Sequence, residues 1–395
     1  MKSIIIMKLI ALSVYGLDKP GRIYEISNIL AENNVNIIDI EQSVLHGFFV
    51  MFIIGDIEKS KVSFEELKRQ LEKKGKELEV NIHVIPFEKQ KKKKRQLYVI
   101  TVIGRDRVGI VRDITKILYN HKVNIERTTL TARDKLISIE FMVDLGDANP
   151  NEVKEKLKKE VEKHGLDIVI QPYEMFQKEK KLIVFDMDST IVNGEIIDEL
   201  AKAAGVEKEV KEITRKAMEG KISFKEALIE RVKLLKGLPV EVLEKIYNQI
   251  ELTEGARELI QSLKRAGYKV ALVSGGFTYF TEKLKKELGF DYAFGNELEI
   301  KDGKLTGRIK GKIIDAEEKG RIIEELAKKE GISKENIVAV GDGANDKIMI
   351  ENAGLGIAFN AKEILKKVAD GTLSKENLIG LASILKLPNE FKKRI

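Results

Sequence analysis

Two rhythms of apolar residues divide the 395-residue chain. In its first part, "KLIALSVYG" and "LYVITVIG" read as strands, and each runs through a glycine turn into a segment with apolar residues at helical spacing. The two stretches are copies of one pattern. "GLDKPGRIYEISNILAENNVNI", Gly16 to Ile37, lies over "GRDRVGIVRDITKILYNHKVNI", Gly104 to Ile125, without a gap. Gly16 matches Gly104, Asp18 matches Asp106, Gly21 matches Gly109, and Asn36-Ile37 matches Asn124-Ile125. After each "VNI" the pattern predicts a strand pair, a charged helix and a last strand, "EVNIHVIPF" in the first copy and "LDIVIQPYEMF" in the second. The order βαββαβ is that of a ferredoxin-like unit. From Lys181 the chain changes to short, all-apolar β-branched runs separated by amphipathic helices, the pattern of a parallel sheet covered on both faces. The predicted fold class is α/β: a doubly wound parallel-sheet domain over 181–395, preceded by ferredoxin-like modules over 1–88 and 96–177. Each module is expected to form its own core. The charged "QKEKK" is then the hinge, and a chain starting near Lys178 should fold alone.

Three of the apolar runs end in polar residues. "LIVF" stops at Asp186, "KVALV" at Ser274-Gly275-Gly276, and "NIVAV" at Gly341-Asp342-Gly343. Ligands of open α/β sheets bind outside the carboxyl ends of the strands, so these clusters should converge on one crevice. Asp186 and Asp188 stand one residue apart in "DMDST", and both face that crevice only if the strand ends before the second and the chain turns. A carboxylate nucleophile forming an aspartyl-phosphate is one route to phosphate transfer, and the phosphoryl charge must be neutralised. Asp186 and Asp342 would hold Mg²⁺, a hard cation suited to carboxylate oxygens. The Ser274 hydroxyl, the Gly275 amide and the Lys319 ammonium would cradle the phosphoryl oxygens, with the helix after "SGGF" offering its positive end.

"DMDST", "VSGG", a downstream lysine and "GDGANDKIM" are similar, in this order, to the motifs of the haloacid dehalogenase superfamily, and among its members to the phosphoserine phosphatases. The resemblance covers about residues 181 to 386. It implies Asp186 as nucleophile and Asp188 as the acid that protonates the departing serine oxygen, its backbone carbonyl also on the metal. Asp346 would then support the metal's waters or Lys319, and Asn345 would contact phosphate or substrate. Lys319 is preferred to Lys310 or Lys312 because "EEKGRIIEEL" opens the helix before the last motif strand. The segment 198–252 corresponds to the family's small helical cap. There Glu195 and Arg231 stand where the ammonium and carboxylate of the substrate would be held, and Met218 and Phe224 where apolar walls would exclude water. The implied reaction is Mg²⁺-dependent hydrolysis of O-phosphoserine to L-serine, the last step of serine biosynthesis. The alternatives are another small-metabolite phosphatase or phosphotransferase of the superfamily, or a protein that chiefly senses amino acids.

The paired modules resemble ACT domains, small regulatory units that bind amino acids. That resemblance implies an L-serine effector at the glycine turns, contacted by Asp18, Gly21 and Asn36 or by Asp106, Gly109 and Asn124, and a homodimer.

Composition alters little of this. Of a net charge of +7, "KQKKKKR" at Lys89 to Arg95 supplies six basic residues, so the rest of the chain is near neutral. That run lacks interleaved aromatics and reads as a solvated linker, with no nucleic-acid partner. There is no cysteine, which excludes disulfides and thiolate catalysis. "MKSIIIMKLIALSV" resembles a secretion signal, but Lys8 interrupts it and the second module has the same strand mid-chain. With no apolar segment near the roughly 20 residues of a membrane span, a cytoplasmic enzyme is expected.

Overall fold

A computed structural model describes residues 8–88, 95–133, 136–374 and 378–387; most of the basic linker lies outside them. The chain divides into two compact units, residues 1–93 and 94–395. The first contains β1 (Leu9–Leu17), α1 (Arg22–Glu32), β2 (Asn36–Leu45), β3 (Phe48–Asp56), α2 (Phe64–Glu77) and β4 (Val80–Phe87), with its sheet ordered β2-β3-β1-β4. Alternate residues Ile10, Leu12 and Val14 of β1 and Phe49, Met51 and Ile53 of β3 pack on Ile26 and Leu30 of α1 and on Leu67 and Leu71 of α2. The opposite face of the sheet is bare, exposing Tyr15, Phe48, Val50, Phe52 and Ile85. Gly21, at the entry to α1, has φ +91°, a left-handed conformation that explains the glycine of the repeat.

The second unit opens with the second copy: β5 (Leu97–Gly104), α3 (Ile110–Asn120), β6 (Asn124–Arg133), β7 (Ile137–Asp144), α4 (Pro150–Lys163) and β8 (Asp167–Pro172). Gly109 repeats the turn at φ +96°. "LDIVIQPYEMF" is not one strand: Pro172, which has no N–H for the ladder, ends β8, and the chain turns into the short helix α5 (Tyr173–Phe176). Next come β9 (Leu182–Phe185) and four helices, α6 (Ile196–Ala204), α7 (Glu207–Met218), α8 (Phe224–Leu234) and α9 (Glu241–Tyr247). These helices occupy the predicted cap segment. The chain continues through α10 (Ala256–Arg265), β10 (Lys269–Phe277), α11 (Thr278–Leu288), the hairpin β11 (Tyr292–Lys301) and β12 (Lys304–Lys310), and α12 (Ala316–Glu330). It closes with β13 (Ile337–Gly341), α13 (Lys347–Glu351), β14 (Leu355–Phe359), α14 (Glu363–Val368), β15 (Gly371–Leu373) and α15 (Gly380–Ile384). Strands β10, β9, β13 and β14 are parallel neighbours, so their carboxyl ends share one edge. β10 runs through Ser274-Gly275-Gly276 instead of stopping before them, with a register shift between Val273 and Phe277.

The second copy does not stand apart from the parallel sheet. β8 pairs antiparallel with β15, giving one sheet ordered β12-β11-β10-β9-β13-β14-β15-β8-β5-β7-β6. Ile103 and Val169 belong to the same buried cluster as Phe185 and Val340. The Lys158 ammonium donates to the carbonyls of Lys366 (2.5 Å) and Ala369 (2.9 Å) at the end of α14. In the expected hinge, Lys180 Nζ is tied to the carbonyls of Met175 and Glu335. Each module has its own core, as expected, the second around Ile100, Ile114, Phe141 and Leu157, but the second module also shares a buried cluster with the parallel sheet through Ile103 and Val169. Gly371 shows how closely they approach, since a Cβ there would lie 2.5 Å from Val169 Cγ2.

Removing residues 1–177 strips β8 from β15 and exposes this shared core, so that chain should melt lower than one lacking only residues 1–94. Calorimetry of the two truncated chains decides it; equal melting temperatures would mean that the β8–β15 contact contributes no stability.

Candidate active site

β9 ends at Phe185, as the two aspartates require. Asp186 and Asp188 both line a crevice of about 560 Å³, while Met187 between them is buried in the core. The turn that separates them reaches a left-handed backbone at Ser189, φ +57°, an uncommon conformation for a residue with a side chain. The other parallel strands deliver Gly275, Gly276, Asp342, Gly343 and Asn345 to the same crevice, and the cap helices deliver Thr214, Met218, Phe224 and Arg231.

Beneath the crevice lies Lys319, on the first turn of α12 and fully buried. Its ammonium is 2.7 Å from Asp186 Oδ1 and 2.7 Å from Asp346 Oδ1. The second oxygen of Asp346 accepts the backbone N–H groups of Asp342 and Gly343. Burial opposes the charge on Lys319, but Asp186 and Asp346 together raise its pKa. Lys310 and Lys312, the other candidates, are exposed and pair with Glu297 and Glu318. Asp186 Oδ1 also accepts the Met187 N–H. Burial, then Asp346, raises the Asp186 carboxyl well above 3.8, with Lys319 acting in the opposite direction.

Asp188 is held by the Ile196 N–H on Oδ1 (3.0 Å) and the Ser274 hydroxyl on Oδ2 (3.3 Å). Burial and then Glu195 raise its pKa from 3.8 to about 7. Ser274 is fully buried and also accepts the Gly276 N–H at 2.8 Å. The glycines are there because nothing larger fits. A Cβ on Gly276 would lie 2.8 Å from Asp188 Oδ2, and one on Gly275 2.8 Å from the Phe224 ring.

Asp186, Asp342 and Asp346 each offer a carboxylate oxygen, all within 4.8 Å of one another. Hard oxygen donors in excess of the single buried ammonium suit a divalent cation of the Mg²⁺ class. Burial and then Asp346 raise Asp342 from 3.8 to about 7, so like charges crowd this corner.

In the cap, Arg231 Nε bonds the Ala227 carbonyl (3.3 Å) and Nη1 the Thr214 hydroxyl (3.5 Å). Burial lowers its pKa, against Glu195, Asp198 and Asp188, which raise it. Glu195 accepts the Ser189 hydroxyl at 3.3 Å; lost solvation and then Asp198 raise its pKa. Met218 lines the crevice from its rim, 64% exposed, so it shields less than an apolar wall would. Sequence reasoning missed Asp198, Thr214 and Lys362 in the lining. Lys362 follows β14, a fourth strand exit whose polar end, "NAKE", carried no motif. Asp18 and Asn36 of the first unit and Asp106 and Asn124 of the second are exposed, and Asn124 bonds Glu126.

Comparison with known proteins accounts for these features. Residues 180–354 match the family model for haloacid dehalogenase-like hydrolases, and residues 8–85 and 98–162 each match an ACT domain model. The phosphoserine phosphatase of Archaeoglobus fulgidus is 64% identical over 88% of this chain and 100% of its own length. Phosphoserine phosphatase SerB2 of Mycobacterium tuberculosis is 35% identical over 92% of this chain and 90% of its own. Among solved structures, a haloacid dehalogenase family hydrolase from Salmonella enterica is similar at a TM-score of 0.66 with 30% identity, covering 73% of this chain and 99% of that one. With four site clusters on one sheet edge and relatives aligned over nearly their whole length, this chain belongs to the phosphoserine phosphatase family of haloacid dehalogenase-like hydrolases, carrying two ACT domains.

Proposed function

We propose that the chain hydrolyses O-phospho-L-serine to L-serine and phosphate through a phosphorylated Asp186, with Mg²⁺, as the last step of serine biosynthesis in the cytoplasm. The observation that carries this reading is the Asp186–Lys319–Asp346 array beneath a crevice whose walls present Asp188, Glu195 and Arg231. Lys319 and Met187 N–H hold Asp186 Oδ1, which fixes the carboxylate for attack through its other oxygen on phosphorus. Asp188, protonated up to about pH 7, gives its proton to the serine oxygen as the P–O bond breaks. The resulting carboxylate then takes a proton from the water that attacks the phosphoaspartate, and phosphate leaves. Asp186, Asp342 and the Asp188 carbonyl would hold the cation, which supplies charge neutralisation for the phosphoryl oxygens when bound. Ser274, the Gly275 amide and Asn345 would hold those oxygens, while Phe224 closes the space beside them. Arg231 would grip the substrate carboxylate and Glu195 its ammonium, both partly stripped of solvent and so able to bind strongly.

The ACT domains would bind L-serine at the turns of Gly21 and Gly109, whose helices begin without a side-chain cap. The bare face of the first module's sheet, where Tyr15, Phe48, Val50, Phe52 and Ile85 are exposed together, supports a homodimer, because contiguous exposed apolar side chains favour association. A monomeric mass in solution would exclude it.

Replacing Asp186 by Asn keeps the shape but removes nucleophile and charge, so phosphoserine turnover should vanish with the fold retained, as read by circular dichroism and phosphate release. Asp188→Asn should slow both half-reactions. Normal turnover in either variant removes its assigned role.

Arg231→Ala should cost phosphoserine roughly 1.5 to 3 kcal/mol in kcat/KM, the size of a lost charge-assisted hydrogen bond, and an aryl phosphate lacking a carboxylate much less. Equal losses for both substrates would make Arg231 structural.

Asp342 keeps its proton to about pH 7 in the fold but releases it near 3.8 when unfolded. Its contribution to stability is therefore complete below pH 3.8 and is lost as pH rises through 7. Without metal, Asp342→Asn should melt above the parent near pH 8, with the gap narrowing toward about pH 4, while Mg²⁺ should stabilise the parent alone. Equal gains from Mg²⁺ in both proteins would take Asp342 out of the cation site.

A further inference from the structure

The ladder between β10 and β11 breaks beside the catalytic crevice. Val273 pairs with Phe294 and Phe277 with Asn296, so Ser274, Gly275 and Gly276 face Gly295 alone and bulge away from their neighbour. Gly295 is where β11 passes close to the chain after the bulge, since a Cβ there would lie 2.8 Å from the Thr278 nitrogen. A bulge leaves backbone groups without ladder partners, and buried ones must be satisfied elsewhere. The Gly275 carbonyl finds its partner in a side chain: Asn296 Nδ2 donates to it at 2.7 Å.

Asn296 is an unexpected residue for its place. It sits within β11, where asparagine is disfavoured, and it is only 1% exposed. Burying an amide is costly unless both of its ends are bonded. Here both are, because Oδ1 accepts the Ile314 N–H at 2.9 Å. Ile314 precedes Asp315, whose side chain caps α12 by accepting the Glu318 N–H, and Lys319 follows on that first turn. One buried side chain therefore joins the bulge of β10 to the root of the helix that carries Lys319.

The bonds continue toward the chemistry. The peptide unit between Gly275 and Gly276 is held at both ends, its carbonyl by Asn296 and its N–H by the Ser274 hydroxyl oxygen at 2.8 Å. Having accepted that N–H, Ser274 Oγ directs its own proton to Asp188 Oδ2, 3.3 Å away. Glycine has no side chain to limit its torsions, so the clamp supplies the rigidity that Gly275 lacks. Donors aimed in advance at a transferring phosphoryl group lower the barrier because they need no reorganisation during reaction.

We propose that Asn296 is a positioning residue for phosphoryl transfer, fixing the Gly275 amide and the Ser274 hydroxyl, and their placement relative to Lys319, without touching the substrate. This inference rests on the phosphatase reading and names a residue on which the phosphoryl cradle of that reading depends.

The test is Asn296→Leu in the full chain, which keeps the volume and removes both bonds. Its kcat should fall roughly tenfold or more, and equally for phosphoserine and an aryl phosphate, because the phosphoryl group is common to both. Inhibition by inorganic phosphate and by vanadate should weaken in step. A residue that served stability alone would lower the melting temperature yet leave kcat of the folded protein and phosphate inhibition at the parent's values, and that result overturns the proposal. A loss confined to phosphoserine also overturns it, since the effect would then lie in the cap. Should Asn296→Leu not fold, Asn296→Ser decides on the same readouts, its hydroxyl being too short to hold both backbone groups. A parent that hydrolyses neither substrate removes the phosphatase reading and this proposal with it, whereas an active parent beside an equally active variant removes this proposal alone.

Discussion

A buried ammonium sets the terms for the catalytic half. Lys319 is removed from water, a position that stands only with compensating charge at close range. Asp186 and Asp346 provide it at 2.7 Å each, and that requirement locks three elements together: β9 through Asp186, α12 through Lys319 and the turn after β13 through Asp346. The turn is tight enough that a Cβ on Gly341 would lie 2.4 Å from Asp346 Oδ2. Yet the neutralisation is incomplete. Asp186, Asp188, Asp342 and Asp346 surround one lysine, and the raised pKa values of Asp186, Asp188 and Asp342 express the excess. The fold thus stores an unmet demand for positive charge at the place where a phosphoryl group would bring still more negative charge.

The aspartates were legible in the sequence because their signal is local. An all-apolar run that stops at a carboxylate specifies both the strand and its exit, and glycines beside it mark where backbone must approach. Gly275 and Gly276 illustrate this, each facing a group that a side chain would strike. Lys319 was harder, since three lysines lie within ten residues and only its place at the start of a helix singled it out, whereas in the structure burial between Asp186 and Asp346 separates it from Lys310 and Lys312. Lys362 and Asp198 were missed because a lone charge at a strand exit or on a helix has no pattern to distinguish it from a solvated one. Met218 lines the crevice, and its 64% exposure depends on how the cap sits, which no spacing encodes.

The ferredoxin-like repeats show the same division. Their glycine turns could be read directly, as φ near +90° at Gly21 and Gly109 demands the residue found there. What the second copy leans on could not be read. β15 has three residues, too short for any periodicity, and its pairing with β8 joins segments some two hundred residues apart. Tertiary pairing of this kind is decided by which edge is left open, and that is a property of the assembled sheet.

That pairing has a mechanical consequence for the active site. α14 is gripped at its carboxyl end by the second module, where Lys158 bonds the carbonyls of Lys366 and Ala369 and Glu162 pairs with Lys366. At its other end, the Lys362 N–H donates to the Asp342 carbonyl and the residue lines the catalytic crevice. One short helix therefore links the second module to the backbone of Asp342, a residue of the proposed cation site. A ligand on the module can change turnover only if it binds two arrangements of the chain unequally. Packed contacts of this kind transmit such a difference, because close-packed side chains shift together. A displacement of α4 that left α14 in place would break charge-assisted bonds at Lys158, whereas one that carried α14 along would move Lys362 against Asp342.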